Sequence, residues 1–130
     1  MHYTCIIFLF LNLFVPPLQG NPIDKAAGLI KGGDVHELAN YFAPSVDIFI
    51  NNESNSYTKA EAEKVITDFF KRNRPEQVSV LHRIETSSNF KFGVYIVRTS
   101  GGPFRVAASF KNAGGVFTIS ELRIESEKTK

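Results

Sequence analysis

Between Gln77 and Glu125 the chain alternates apolar and polar residues in four runs: Gln77–Ser87, Phe90–Ser100, Pro103–Asn112 and Val116–Glu125. A period of two is what a strand with one covered face requires, because successive side chains point to opposite sides of the backbone. Ser88-Asn89, Gly101-Gly102 and Ala113-Gly114-Gly115 separate the runs and are short enough to close antiparallel hairpins. Ahead of Gln77 the period changes. Pro22 to Lys31 opens on a proline and is followed by Gly32-Gly33, which predicts a helix with its start and stop marked. Asp34 with Glu37 three residues on predicts a second helix, its Val35, Leu38, Ala39 and Phe42 forming one stripe that Pro44 ends. A strand follows over Ser45–Asn51, where Val46, Ile48 and Ile50 alternate, and then a polar turn over Asn51–Asn55. Thr58 and Glu61 make the capping box of a third helix bearing Ala62, Val65, Ile66, Phe69 and Phe70. A stripe that bulky needs a large apolar partner, and the four-stranded meander provides it. The expected fold class is α+β. It is a cone-like curved antiparallel sheet, a four-stranded C-terminal meander plus a short N-terminal strand, covered on one face by about three helices.

The first twenty residues read differently. Ile6 to Val15 is almost unbroken Ile, Leu, Phe and Val, interrupted by Asn12, and ends at Pro16-Pro17 before Gly20. Such a run is too short to cross a hydrocarbon core of about 30 Å as a helix. It reads as a secretory signal cleaved after Gly20, which divides the chain into a signal peptide at 1–20, one domain at 21–125 and a charged tail at 126–130. The product is then exported, periplasmic or secreted, with no stable membrane anchor after cleavage. Cys5 leaves with the signal, so no thiol remains for a disulfide or a cysteine–metal site, and no cofactor is expected.

All 15 Lys and Arg and all 13 Asp and Glu follow Gly20, giving a net charge of +2 with the signs interspersed. That is no nucleic-acid footprint, which needs a pronounced basic face. The one basic cluster, Lys71-Arg72-Asn73-Arg74, falls at a helix C-terminus, where cations suit the macrodipole.

The order helix–helix–strand–helix–four strands resembles the nuclear transport factor 2-like superfamily, in which a curved sheet wraps a cavity plugged by helices. More narrowly, the chain resembles a small bacterial family of exported proteins, domain of unknown function 4783. The likeness is carried by Ile30-Lys-Gly-Gly-Asp-Val-His-Glu-Leu-Ala-Asn-Tyr-Phe42, Tyr57-Thr-Lys-Ala-Glu-Ala-Glu63 with Asp68-Phe69-Phe70, Thr99-Ser-Gly-Gly-Pro-Phe-Arg-Val106 and Leu122-Arg-Ile-Glu125. Most of these residues cap helices or fill a core. The resemblance therefore implies a fold and brings no reaction or catalytic residue with it, and the superfamily holds isomerases, dehydratases and non-enzymatic partners alike.

The hairpin turns predict a register. With two-residue loops at Ser88-Asn89 and Gly101-Gly102, His82 opposes Tyr95 and Tyr95 opposes Ala108; a three-residue loop at Ala113–Gly115 then sets Ala108 against Ser120. This row lies on the face that also carries Val78, Val80, Ile84, Val97, Phe104, Val106, Phe110, Leu122 and Ile124, which is the face the helices cover. His82, Tyr95 and Ser120 would floor a pocket there, with Asp47 from the separate strand as the nearest carboxylate. A histidine poised near neutral pH with a tyrosine hydroxyl beside it suits acid/base chemistry. A satisfied core hydrogen bond is the commoner reason for such a pair.

On the opposite face the same register aligns Arg98, Arg105 and Arg123, whose guanidinium forks suit an anion or an acidic partner. Glu85, Glu121 and Glu125 share that face, so a solvated mixed-charge surface also accounts for the row. Phe92, Val94, Ile96, Phe117 and Ile119 leave it too apolar for an open surface, which predicts a homodimer through the outer sheet face. His36 sits on the polar side of its helix, and no histidines have metal-ligand spacing, so no metal site is expected. Two functional readings follow. The leading one is a non-enzymatic ligand-binding or protein-interaction module, holding a small apolar ligand. The alternative is a cofactor-free acid/base enzyme of the isomerase or dehydratase type using His82 and Tyr95.

Overall fold

The structure, a computed structural model, describes residues 20–127. Residues 1–19 of the expected signal segment, Cys5 among them, lie outside the described residues, as do residues 128–130 of the tail. Nine elements follow one another: α1 (Pro22–Lys31), α2 (Val35–Ala39), β1 (Phe42–Ile50), β2 (Glu53–Thr58), α3 (Lys59–Arg72), β3 (Pro75–Ile84), β4 (Phe90–Thr99), β5 (Gly102–Ala113) and β6 (Val116–Ser126). The strands form one curved, unclosed six-stranded sheet in the order β2-β1-β6-β5-β4-β3, and the three helices sit against its concave side. β1 runs parallel to β6, and every other neighbouring pair is antiparallel.

The helix starts are where side chains can satisfy the free backbone N–H groups. Asn21 Oδ1 accepts from Ile23 N at 2.8 Å, Asp34 caps α2 through Glu37 N, and Thr58 with Glu61 forms the reciprocal capping box of α3. The stretch expected as a polar turn, Asn51–Asn55, is shorter than that. Asn51 adopts a left-handed φ of 53°, the chain reverses at once, and Glu53–Thr58 adds an exposed edge strand made of polar residues. β1 also starts earlier than Ser45, at Phe42, and passes through Pro44. At the other end Ser126 is still strand and Glu127 binds Arg105, so the tail begins later than residue 126.

Three details of pairing depart from the expected register, each with a local cause. The β4–β5 turn is Ser100-Gly101, closed by Thr99 against Gly102, whose φ of +105° only glycine adopts without strain. Tyr95 therefore faces Val106 rather than Ala108, a shift of two that keeps every residue on its side. In β6 the tight turn is Gly114-Gly115, both left-handed, and an extra residue, Ser120, bulges from the strand. A bulge reverses facing beyond it. Ile119 and Phe117 consequently turn to the helix side, not outward as expected, and Ile119 is 1% exposed. In β3 a second bulge at Leu81 sets His82 opposite Val94, while Tyr95 faces Val80.

The core is closed by α1. Ile23, Ala26 and Ile30 are buried against the sheet beside Tyr95, which is 0% exposed. The Tyr95 hydroxyl donates to the Ile23 carbonyl at 2.9 Å. Gly93 makes this approach possible, because a Cβ there would stand 2.9 Å from Ile23 Cγ2 and 3.2 Å from the Tyr95 hydroxyl. Arg83 donates to Asp24, and Asn21 Nδ2 donates to Glu85 just past β3, fastening the outer side of the same helix to that strand and its end. Farther along the sheet, Phe69 from α3 meets Phe104 edge-on at a centroid distance of 5.0 Å. The cavity expected above the sheet centre is therefore filled. Replacing Gly93 with Ala should cost about 1–3 kcal/mol by overpacking. Tyr95→Phe should cost about 1 kcal/mol for the lost hydrogen bond. Urea unfolding would show both as lower midpoints with unchanged slopes; a neutral Gly93→Ala would mean that α1 is not seated there.

Candidate functional site

The concave side retains an apolar recess at the end of the sheet where the β5–β6 turn meets the start of α1. It has a volume of about 380 Å³, and Ala26, Leu38, Phe110, Phe117 and Ile119 make most of its wall. Its mouth holds Lys25, whose Nζ lies 5.8 Å from the centre of the half-buried Tyr41 ring. The bulge at Ser120 builds this wall, since it is what swings Phe117 and Ile119 inward next to Phe110. A larger open cleft of about 740 Å³ lies at the other end of α1, between the α1–α2 turn, the last turn of α3 and the start of β3.

The residues singled out by sequence do not converge on either. His82 is exposed on β3, beside Val94 on the convex side. Tyr95 is on the concave side, and its hydroxyl is committed to Ile23. Burial first, and then the nearby Asp24 charge, push its pKa well above the ordinary tyrosine value, with Arg83 opposing, so it stays a protonated donor. Ser120 is the half-buried bulge residue and donates to the Ser109 carbonyl at 3.5 Å. Asp47 is exposed on the convex side and accepts from Ser56 Oγ. The expected His82–Tyr95–Ser120 row is thus dismantled by the two bulges.

The arginine row is dispersed as well. Arg98 stands between Gln77 and Pro103, while Arg105 forks onto Glu127 at 3.0 and 3.2 Å. Arg123 lies opposite Ala107 and Phe49, with its guanidinium 4.1 Å from the Phe49 ring centre and Glu121 at 3.7 Å. Among the described residues, no three His, Cys, Asp or Glu side chains gather as metal ligands. Sequence reasoning missed Lys25, Tyr41 and Phe110 as members of a recess. The signal within reach was Val116-Phe117, two large apolar residues directly after a glycine turn.

The sequence profile described as "Domain of unknown function (DUF4783)" matches residues 23–125. The chain belongs to that family. A solved DUF4783 protein from Bacteroides uniformis shares 28% identity, over 84% of this chain and 100% of its own, with a TM-score of 0.79. One from Bacteroides fragilis shares 26%, over 78% and 94%, with a TM-score of 0.74. At the level of fold alone, the DUF4783 chain also matches a Nostoc punctiforme domain of unknown function with a cystatin-like fold, at 13% identity over 82% and 73% with a TM-score of 0.64. NTF2-like designed proteins superpose as well, one at 17% identity over 79% of this chain and 95% of its own with a TM-score of 0.63, so the nuclear transport factor 2-like architecture is shared. Among curated proteins the chain has no significant match.

On the rim of the larger cleft His36 Nδ1 meets Glu63 Oε2 at 2.9 Å. The hydrogen bond to Glu63, then its charge, raises the His36 pKa above 6.5. Protonation favours the paired, folded state, so any stability it adds is full below the unfolded-state value and fades as pH climbs through the folded-state value. A nuclear magnetic resonance titration should place the His36 midpoint above 6.5. Glu63→Gln should bring it down; a midpoint unmoved by that change would show that the pair does not form.

Proposed function

We propose that this DUF4783 protein is an exported, non-enzymatic binding module that holds a small apolar ligand in the recess between α1 and the β5–β6 turn. The observation that carries the reading is the contrast between the two parts of the concave face. The centre is filled by Ile23, Tyr95 and Phe69, whereas the end leaves a recess between Lys25, Tyr41, Val116 and Phe117, floored by the buried Phe110 and Ile119. At about 380 Å³ the recess falls near the lower end of ordinary small-molecule sites, roughly 300–1,000 Å³. The ligand it suits is compact and apolar, with a polar or anionic group directed to Lys25. The acid/base alternative requires His82 and Tyr95 in one pocket, and they lie on opposite sides of the sheet.

The same reading includes self-association through the convex face. Phe92, Val94 and Ile96 remain there, and Leu81 and Ile84 on edge strand β3 are 42% and 47% exposed. Arg98, Arg105, Glu121 and Glu125 around them offer both signs of charge, which a two-fold contact between identical faces can pair.

The neutral fluorophore N-phenyl-1-naphthylamine should bind the protein saturably, one molecule per chain. Phe117→Arg, at the half-buried wall, should weaken it about tenfold or more, since a guanidinium in an apolar recess is poorly solvated. Equal binding by a folded Phe117→Arg variant would remove the recess as the site. Sedimentation at micromolar concentrations should show a dimer that Ile84→Glu dissociates, and a monomer at all concentrations would remove the second half of the proposal.

A further inference from the structure

The basic cluster Lys71-Arg72-Asn73-Arg74 is only partly explained by the end of a helix. Lys71 and Arg72 belong to the last turn of α3, where cations complement the dipole. Arg74 lies past the C-cap residue Asn73 and is held by a different device. Its N–H donates to Ser100 Oγ at 2.9 Å, and the Ser100 N–H donates to the Arg74 carbonyl at 3.0 Å. Asn73 Nδ2 binds the Phe69 carbonyl, and Gly101 leaves room for it, since a Cβ there would stand 2.2 Å from Asn73 Oδ1. The β4–β5 turn thus fixes where Arg74 leaves the helix.

This placement brings Arg74 to the cleft of about 740 Å³ that Lys31 and Lys71 also line. Among the described residues none of these three cations has a carboxylate within ion-pair distance. The two acids of the cleft are already engaged, Asp34 by the Glu37 N–H and Glu63 by His36. Between them the buried Val35 and Phe70 close the floor beside the half-buried Pro75, and the side-chain-free Gly32-Gly33 turn keeps one wall low. Three unpaired cations around such a floor form a surface complementary to acidic side chains spaced along one segment.

We infer that the cleft between the α1–α2 turn and the end of α3 is a docking groove for an acidic polypeptide segment, separate from the apolar recess. A simple inorganic anion would leave most of the volume unfilled. A nucleic acid would need a broader basic face than a chain of net charge +2 supplies, and Phe70, 7% exposed, offers no stacking platform.

The test uses a fluorescein-labelled pentapeptide of four glutamates around a central phenylalanine, read by fluorescence polarisation against the folded protein. Binding should be saturable at about 50 mM salt and weaken strongly by about 500 mM, where the screening length has shrunk to roughly 4 Å. Lys31→Glu, Lys71→Glu and Arg74→Glu combined should weaken it about tenfold or more. The milder Lys31→Gln, Lys71→Gln and Arg74→Gln combination should give an intermediate loss, and Lys111→Glu, on the far hairpin, none. Unchanged affinity in either folded triple variant would overturn the inference. So would equal binding of the all-lysine counterpart or of oligothymidylate. N-phenyl-1-naphthylamine binding should persist in these variants, so the recess and the groove succeed or fail separately.

Discussion

The molecule is organised by one close approach, that of α1 to the sheet at Gly93. A helix lying across a curved sheet is ordinarily kept about 10 Å away by the side chains between them. Here one strand position has no side chain, and the neighbouring tyrosine uses the space to bond the helix backbone. The hydrogen bond is buried, and no buried polar side-chain atom among the described residues is left without a partner. Because α1 is pinned low at Ile23, the centre of the concave face is solid. What remains open lies at the two ends of that helix: an apolar recess beside its start and a cationic cleft beside its finish.

Two single-residue bulges then decide which chemistry faces where. Ser120 in β6 sends Phe117 and Ile119 toward the helices and builds the recess wall. Leu81 in β3 sends His82 to the convex side, away from Tyr95. Each bulge interrupts a ladder at only one step, yet it reverses the facing of every residue beyond it. The family profile and the solved relatives establish the scaffold; activity is to be read from this chain's own recess and cleft.

The element order and the helix-covered face were legible in the sequence because strong local signals mark them. Thr58-x-x-Glu61, Pro22 with Gly32-Gly33, and the period-two runs of the meander each rest on short-range physics. The candidate site was not legible, since it required register across four strands. Turn length alone left the closing residues undetermined: Thr99 rather than Ser100 closes on Gly102, and Ala113 rather than Asn112 closes on Val116. Nothing in Leu81 or Ser120 themselves announces a bulge. Tyr95 was singled out correctly as a buried polar residue, and its partner proved to be a helix carbonyl 72 positions away in the chain, out of reach of any hairpin count. The edge strand Glu53–Thr58 escaped notice because it is polar on both faces.

The account stands on the concave face being solid under α1 and open at its end. Crystallography under xenon pressure tests this most directly, because xenon enters dry apolar space and reports its position. Xenon should occupy the recess among Leu38, Phe110 and Ile119, with none between Tyr95 and α1. Xenon or ordered water beneath Tyr95, with the end recess empty, would contradict the seating of the helix and the site built on it.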